Sequence, residues 1–262
     1  MKDNLLRVDK PQTHIIAYLD MLGTSSKIDK DDDYQKLRRI YTIYMSAFHI
    51  IQKFSSVKFH FEKIKIKIFS DNIILAIPLN PNNDIADILL LIRFAAFFQS
   101  ISSLRHCWPV RGGITIGELF IDEVMVWGKG LTRAYDLENK IAIFPRIVVD
   151  KKVVCMIEKD NNYVRSDADG WFFVDFLNFT HSQDNQGNDS IAALIKDSFS
   201  KQLEEIKNQS GIHKERAYQK LQWYKNYLNQ WYNEHYTSEE DTVLIEESAL
   251  EENIEKPEKG SS

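Results

Sequence analysis

The stretch KIKIKIFSDNIILAIP (63–78) predicts a β-hairpin, and this hairpin decides how the rest of the chain can fold. Isoleucine alternates with lysine in its first half, which is the period-two pattern of a strand with one wet face. The alternation extends upstream to Phe59, with a bend or bulge expected near Glu62. SDN (70–72) consists of residues that are favoured in turns, so the apolar run that follows is predicted to be the returning strand.

The elements around this hairpin follow the order strand, helix, hairpin, helix, strand. Residues 14–20 are expected to form a short buried strand, and apolar residues at three- and four-residue spacing predict a helix over Tyr34–Phe54. A second helix is predicted over Asp84–Leu104, and residues 110–117 and 118–128 are expected to form another hairpin. The resulting β-α-β-β-α-β order is typical of the ferredoxin-like split βαβ fold, an α+β class with an antiparallel sheet and helices on one face.

Further elements follow this core. Residues 128–142 look helical, and residues 144–150 and 171–177 have the composition of strands. From Ile191 to Tyr236 the pattern is helical again, with a break near Ser210-Gly211 and aromatic residues spaced by four, which indicates a packing helix. We predict three segments: a core domain at 1–157, an extension of strand and helices at 158–237, and an acidic disordered tail at 238–262.

Charge and cysteine content exclude several classes of protein. The net charge is −5, but nine acidic residues and two lysines after residue 237 account for about −7, which leaves the body near +2. A nucleic-acid binder would carry a strongly basic face, so we expect no nucleic-acid partner. We find no signal peptide and no apolar run long enough to span a membrane, and two cysteines cannot build a disulfide framework. These features favour a cytoplasmic protein.

Asp20 and Asp71 are the candidate catalytic residues. In a ferredoxin-like sheet the first and third strands are antiparallel neighbours, so the end of one and the start of the other fall at the same edge. Asp20 ends the first strand, and Asp71 lies in the turn that opens the third. An aspartate at either position alone is often only a turn or cap residue. Two carboxylates that meet would repel unless a cation bridges them, and Mg²⁺ or Mn²⁺ suits such oxygen ligands.

Four blocks resemble, in order and spacing, the catalytic domain of class III nucleotidyl cyclases. They are YLDMLGTS (18–25), KIFSDN (67–72), VRGGITIGEL (110–119) and VWGKGLTRAYDLE (126–138). The following block, NKIAIFPRIVVD (139–150), is more similar to the pyrimidine nucleotide cyclases of the bacterial Pycsar antiphage system. The resemblance covers residues 15–150 and implies a homodimer with its active site at the subunit interface.

The resemblance also implies roles for individual residues. Asp20 and Asp71 match the aspartates that bind two metal ions, and the carbonyl of Met21 matches a backbone ligand. The loop at residues 22–25, which includes Leu22, Gly23 and Thr24, falls where the family's backbone amides hold phosphate oxygens. Lys67 matches a lysine that contacts the base, although it is also one of three alternating lysines on a wet strand face.

Three positions depart from the family's pattern. The position that reads adenine is occupied by Met125, which cannot accept a hydrogen bond from an exocyclic amine, and this argues against ATP. The transition-state asparagine falls at Thr132, and the transition-state arginine falls at Asp136, where a carboxylate would repel phosphate. The candidates for a replacement are Arg111, Arg133 and Arg146; Arg133 can equally be exposed on its helix, and Arg146 can equally anchor a loop.

Together these features predict an enzyme that converts UTP or CTP to the 3′,5′-cyclic monophosphate and pyrophosphate with two Mg²⁺ or Mn²⁺ ions. The resemblance implies that the product is a second messenger of antiphage defence, read by a separate effector. Three alternatives stay open: an adenylate or guanylate cyclase, a palm-like domain that binds nucleotide without turnover, and an interaction protein that uses the Trp223/Trp231 helix.

Overall fold

A computed structural model describes residues 10–24, 34–53, 63–80, 84–157, 163–183 and 188–235. The chain divides into two compact units, Met1–Asp184 and Asn185–Ser262. The predicted strand at Phe59, the bulge near Glu62 and the acidic tail lie outside the described residues.

The first unit contains eight strands and five helices within the described ranges. The strands are β1 (Gln12–Met21), β2 (Lys65–Phe69), β3 (Asn72–Pro78), β4 (Val110–Ile121), β5 (Val126–Trp127), β6 (Ile147–Val149), β7 (Val164–Ser166) and β8 (Phe172–Val174). The helices are α1 (Gln35–Lys53), α2 (Asp84–Ser100), α3 (Lys129–Asp136), α4 (Lys151–Ile157) and α5 (Phe176–Gln183). Helix α2 continues as a π-helical turn at Ile101–Arg105, and α3 continues as another at Leu137–Ile141.

The four central strands lie in the order β2-β3-β1-β4, all antiparallel to their neighbours. This is the strand order of the predicted ferredoxin-like core, so the α+β fold class is confirmed. In this order β1 is central, and Asp20 is directly opposite Asn72 of β3 on one side and Arg111 of β4 on the other. The sequence of elements along the chain therefore brings three distant segments to one point at the end of β1.

Strand β4 is longer than predicted. The sequence favoured a hairpin that turns near Gly117, but β4 continues to Ile121 and turns at residues 122–125 before β5 pairs back on it. The side chain of Asp122 builds this turn by accepting hydrogen bonds from the N–H groups of Val124 and Met125, both at 2.8 Å. Gly117 instead allows close packing, since a Cβ on it would be 2.7 Å from the Cα of Gly130.

Beyond the central strands the sheet becomes mixed. Strand β6 joins β4 in parallel, and β8 and β7 follow in antiparallel order. Strands β7 and β8 therefore belong to the same sheet as the predicted core domain, although they fall in the predicted extension. Helix α4 and strand β7 are too short to show a period in the sequence, and neither was predicted.

Helices cover both faces of β1, rather than one face as in the predicted core, because α3 follows the elements of that core and covers the other face. Helix α2 packs on β1 and β3, while Ile16, Tyr18 and Ile74 form a cluster with Ala134 of α3. Helix α3 comes close because β4 has no side chain at Gly113: a Cβ there would clash with the backbone of α3 and its π-helical turn. Helix α3 and its extension thereby lie directly over the end of β1 that carries Asp20.

Helix α2 and its π-helical end form one apolar rod, Asp84–Arg105. By length and composition this rod could cross a membrane, but 78% of its most apolar window is buried inside the protein. Burial of this kind is typical of a core helix.

The second unit consists of α6 (Asn188–Lys207) and α7 (Gly211–His235), which pack on each other. The predicted break is confirmed, because α7 begins at Gly211 with a left-handed φ of 61°. The predicted aromatic stripe lies on α7, where Trp223 stacks on Tyr227 with ring centroids 5.6 Å apart. Tyr227 and Trp231 are both buried.

Candidate active site

Asp20 and the β2–β3 turn lie side by side. The backbone N–H of Met21 donates to the carbonyl of Asp71 at 3.2 Å, so the last residue of β1 is bonded to the turn itself. Asn72 fixes the turn from within: its amide donates to Asp71 Oδ1 at 3.0 Å, and its own Oδ1 accepts from the Tyr18 hydroxyl at 2.8 Å. The two aspartates named from the sequence are thus neighbours, while their part in metal binding stays a prediction.

Arg111 bridges two carboxylates at this point. Its Nε lies 2.9 Å from Asp20 Oδ2, and its Nη2 lies 2.7 Å from Glu138 Oε1. The sequence had offered no arginine near Asp20, since the two residues are 91 positions apart, but the register of β1 and β4 places them opposite each other. Arg111 is therefore bound to two carboxylates. This argues against Arg111 as the arginine that stabilises charge in the transition state.

Glu138 belongs to the same cluster. It lies on the π-helical turn after α3 and is only 2% exposed. Burial raises the pKa of Glu138 to about 7 against the lowering effect of Arg111. The charge of Asp20, a side-chain hydrogen bond with Asp20 and the charge of Asp71 contribute to the rise. The sequence did contain a signal, because Glu138 falls on the apolar side of the predicted helix, where a carboxylate is unexpected.

The negative charge of this region contributes to the raised pKa values of two tyrosines. Burial raises the pKa of Tyr18 to about 12, with further contributions from Glu138 and Asp20. Burial likewise raises the pKa of Tyr44, a residue of α1, and here Asp71 and Asp20 contribute. The carboxylates outnumber Arg111, the guanidinium that bridges them, so the cluster favours an additional cation.

The oxygen atoms at this point fit Mg²⁺ or Mn²⁺. Two carboxylates and a backbone carbonyl are hard oxygen donors, and these ions normally bind one or two carboxylates together with substrate phosphates. The Met21 carbonyl accepts a hydrogen bond from the Thr24 hydroxyl at 2.7 Å, and a carbonyl oxygen has a second lone pair for a cation. In the part of the chain that the structure describes, no group of three or more His, Cys, Asp or Glu side chains could hold a metal ion. A cation would thus depend on these few ligands and on the substrate.

The loop after β1 is anchored by the segment that precedes β4. Leu22 donates its N–H to the Pro109 carbonyl at 2.9 Å, and its own carbonyl accepts from the indole of Trp108 at 3.0 Å. A phosphate contact by the Leu22 amide would require its bond to Pro109 to open. Gly23 has a left-handed φ of 77°, which suits glycine, and Thr24 is buried. Trp108 was not predicted from the sequence, yet it holds this loop in place.

The two predicted base-reading residues lie in adjacent segments. Lys67 of β2 donates to the backbone carbonyl of Glu123, in the turn between β4 and β5 that also carries Met125. Lys65, two residues before, donates to the Ile121 carbonyl at 2.9 Å. The β4–β5 turn therefore lies close to the lysine side chains of β2, and the Lys67 ammonium is held at that turn.

The remaining predicted residues are engaged elsewhere or exposed. Arg133 pairs with Asp150 at 2.9 Å, and Asp150 also accepts from Thr115, which lies about 13 Å along β4 from Arg111 at the usual rise of a strand. Asp150 has its pKa lowered: the hydrogen bonds from Arg133 and Thr115 outweigh burial, which acts in the opposite direction. Thr132 is exposed on α3.

Arg146 is buried and binds Asp167 and Asp169 of the loop between β7 and β8. This geometry favours the anchoring role for Arg146 rather than a catalytic one. Asp136, at the position of the family's arginine, forms a surface pair with Lys140 at 2.8 Å. Its negative charge is thus matched within its own helix.

No protein-family model matches the sequence, and no curated protein matches it either. Among solved structures, the chain is similar to the monomeric guanylyl cyclase domain of the RhoGC fusion protein from the aquatic fungus Blastocladiella emersonii, with a TM-score of 0.47 and 8% identity over 63% of this chain and 96% of that one. It is also similar to an adenylate/guanylate cyclase/hydrolase from Silicibacter pomeroyi, with a TM-score of 0.43 and 19% identity over 63% and 98% of the two chains. The guanylyl cyclase Cya2 has a TM-score of 0.44 and 13% identity over 63% and 92%. Because these TM-scores are below 0.5, the function has to be argued from this chain's own residues.

Proposed function

We propose that this chain is a nucleotide cyclase that converts a pyrimidine nucleoside triphosphate, UTP or CTP, to its 3′,5′-cyclic monophosphate and pyrophosphate. The observation that carries this proposal is the meeting of Asp20 with Asp71 at the end of the central strand β1. A pair of carboxylates beside an anchored loop is the arrangement that a metal-bound triphosphate requires.

Asp20, Asp71 and the Met21 carbonyl would hold Mg²⁺ or Mn²⁺. When bound, such ions lower the pKa of the ribose 3′-hydroxyl and neutralise the charge of the triphosphate. Residues 22–25 would position the phosphates, and the bonds of Leu22 to Pro109 and Trp108 fix the start of this segment. The 3′-oxygen then displaces pyrophosphate in line, without a covalent enzyme intermediate.

The segment around Lys67 disfavours adenine as the base. Met125 offers a thioether, a weak acceptor, where adenine recognition needs a strong acceptor for its amine. The Lys67 ammonium, held at the neighbouring turn by the Glu123 carbonyl, can donate to a base carbonyl, which uracil, cytosine and guanine have and adenine lacks. The choice of a pyrimidine over guanine rests on the resemblance to Pycsar cyclases. The product would act as a second messenger read by a separate effector, as the resemblance to Pycsar cyclases implies.

Exposed apolar side chains near the site support a homodimer. Val124 is 89% exposed and Trp127 is 68% exposed on the β4–β5 hairpin, and Phe69 at the β2–β3 turn is 49% exposed. Exposed apolar side chains grouped on one side of a protein are typical of an interaction site. We infer that a second copy of the chain covers this side and closes the active site.

The first experiment incubates the purified protein with each of the four ribonucleoside triphosphates and Mn²⁺, and identifies products by mass spectrometry. We expect cyclic UMP or cyclic CMP with pyrophosphate. Asp71→Ala should reduce the rate by at least about a thousandfold, because it removes a ligand on which transition-state charge stabilisation depends, and should leave thermal unfolding nearly unchanged.

Asp197→Ala is the matched control, since Asp197 is exposed on α6 and pairs with Lys201 of the same helix. It should keep full activity. Cyclic AMP or cyclic GMP as the main product would reject the pyrimidine preference. Tight triphosphate binding without any cyclic product would favour a nucleotide sensor instead.

A further inference from the structure

Arg111 lies between the carboxylate assigned to a metal ion and a second carboxylate that has no assigned role. Both ion pairs use different nitrogens of one guanidinium, with distances of 2.9 Å to Asp20 and 2.7 Å to Glu138. The Arg111 side chain is 22% exposed and that of Glu138 is 3% exposed. Arg111 is thus a largely desolvated cation that competes for Asp20 with any divalent ion.

We propose that Glu138 is a positioning residue that keeps Arg111 paired when Asp20 binds a divalent cation instead of Arg111. This inference rests on the proposed function, because it requires Asp20 to be a metal ligand. Glu138 would act through Arg111 and would contact neither the metal nor the nucleotide.

The physical reason is the cost of an unpaired buried charge. A guanidinium that loses its only carboxylate in a desolvated place is destabilised by several kcal/mol. This cost would be subtracted from the binding energy of the metal ion. Because Glu138 already contacts Nη2 of Arg111, the guanidinium keeps a partner when Asp20 binds a cation.

The fold holds Glu138 in place for this purpose. The missing side chain of Gly113 lets the π-helical turn rest on β4, and the backbone N of Glu138 would be 3.0 Å from a Cβ at that position. A carboxylate fixed on a packed helix can receive Arg111 without a rearrangement of the backbone. A preorganised partner costs less conformational entropy than a mobile one.

The test measures Mn²⁺ binding from the loss of the free-ion electron paramagnetic resonance signal, without nucleotide, at pH 8. Four proteins form a double-mutant cycle: wild type, Glu138→Gln, Arg111→Gln and the combined variant. Glu138→Gln should weaken Mn²⁺ binding by about tenfold, the effect of a coupling near 1.4 kcal/mol. Arg111→Gln should tighten Mn²⁺ binding. Glu138→Gln added to Arg111→Gln should then have little further effect.

If Glu138→Gln weakens Mn²⁺ binding by the same factor in the wild type and in Arg111→Gln, then Glu138 ligates the ion or acts only by its charge. This result would overturn the positioning role. Unchanged affinity in Glu138→Gln would overturn it as well. Glu138→Asp, which keeps the charge, should recover part of the affinity and guards against a folding defect. Asp71→Ala is the site control: if wild type and Asp71→Ala bind Mn²⁺ equally, the proposed metal site itself is wrong.

Discussion

The carboxyl of Glu138 shows how the fold changes the chemistry of a single residue. Its ordinary pKa is 4.5, and burial here raises it to about 7 although Arg111 acts in the opposite direction. Between these two values the native state keeps a proton that the unfolded chain has released. The free energy of unfolding therefore depends on pH in this window.

Because the native state binds the extra proton, the free energy of unfolding should fall as the pH rises from 4.5 through about 7, and this contribution should level off above that. Glu138→Gln cannot ionise and should lack this part of the pH dependence. Guanidinium chloride titrations of both proteins in EDTA across this range measure the difference. Parallel curves for the two proteins would contradict the raised pKa.

At the residue scale, the sequence allowed one half of the site to be predicted. Asp20 and Asp71 could be placed together because strand order follows from element order, and no side-chain geometry is needed for that step. Arg111 and Glu138 could not be joined to them in the same way. Their contact depends on cross-strand register and on how closely a helix packs, and neither quantity is encoded in local spacing.

At the scale of elements, the packing of α3 on β4 depends on Gly113. A methyl group there would overlap backbone atoms of α3 and its π-helical turn, and backbone cannot move aside as a flexible side chain can. Gly113→Ala should therefore lower the free energy of unfolding by about 2 kcal/mol, a typical cost of overpacking. Denaturant titration measures this change.

Gly170→Ala is the control for the Gly113 variant. Gly170 has a left-handed φ of 80°, but a Cβ there has no atom within 4 Å. This variant should cost only about 1 kcal/mol from backbone strain. If Gly113→Ala is no more destabilising than the control, the close approach of α3 is not what this glycine provides.

Long elements were predictable and short ones were not. Helix α1 has several turns of periodic apolar residues, which define a face, whereas α2 is a long apolar run and α7 carries aromatic residues spaced by four. Strand β4 was cut too early because Gly117 resembles a turn residue, whereas its true role is contact with Gly130. A glycine needed for close packing and a glycine needed for a turn look the same in one sequence.

At the scale of the whole molecule, the exposed apolar side of the first unit predicts self-association. Trp127→Ser removes a large exposed aromatic side chain from the β4–β5 hairpin. If a second copy covers this side, the substitution should weaken the free energy of dimer association by more than about 2 kcal/mol. This corresponds to a roughly thirtyfold higher dimer dissociation constant. Sedimentation velocity over a range of concentrations measures it, and cyclase activity should fall in parallel.

Tyr41→Ser is the matched control, since Tyr41 is a 63% exposed aromatic residue on α1. It should leave both association and activity unchanged, and both variants should unfold like the wild type because surface substitutions have small effects. A wild type that stays monomeric at concentrations where it is active would reject the homodimer.

The three glycines at positions 113, 117 and 130 also have a consequence for recognising distant relatives of this chain. A helix that rests on a strand at backbone distance tolerates no side chain at its contact points, whereas surface loops and the nucleotide-facing residues can change. Sequences with the same architecture should therefore retain these three glycines with the same spacing between them. Such a pattern would find relatives even where the residues that select the base have diverged.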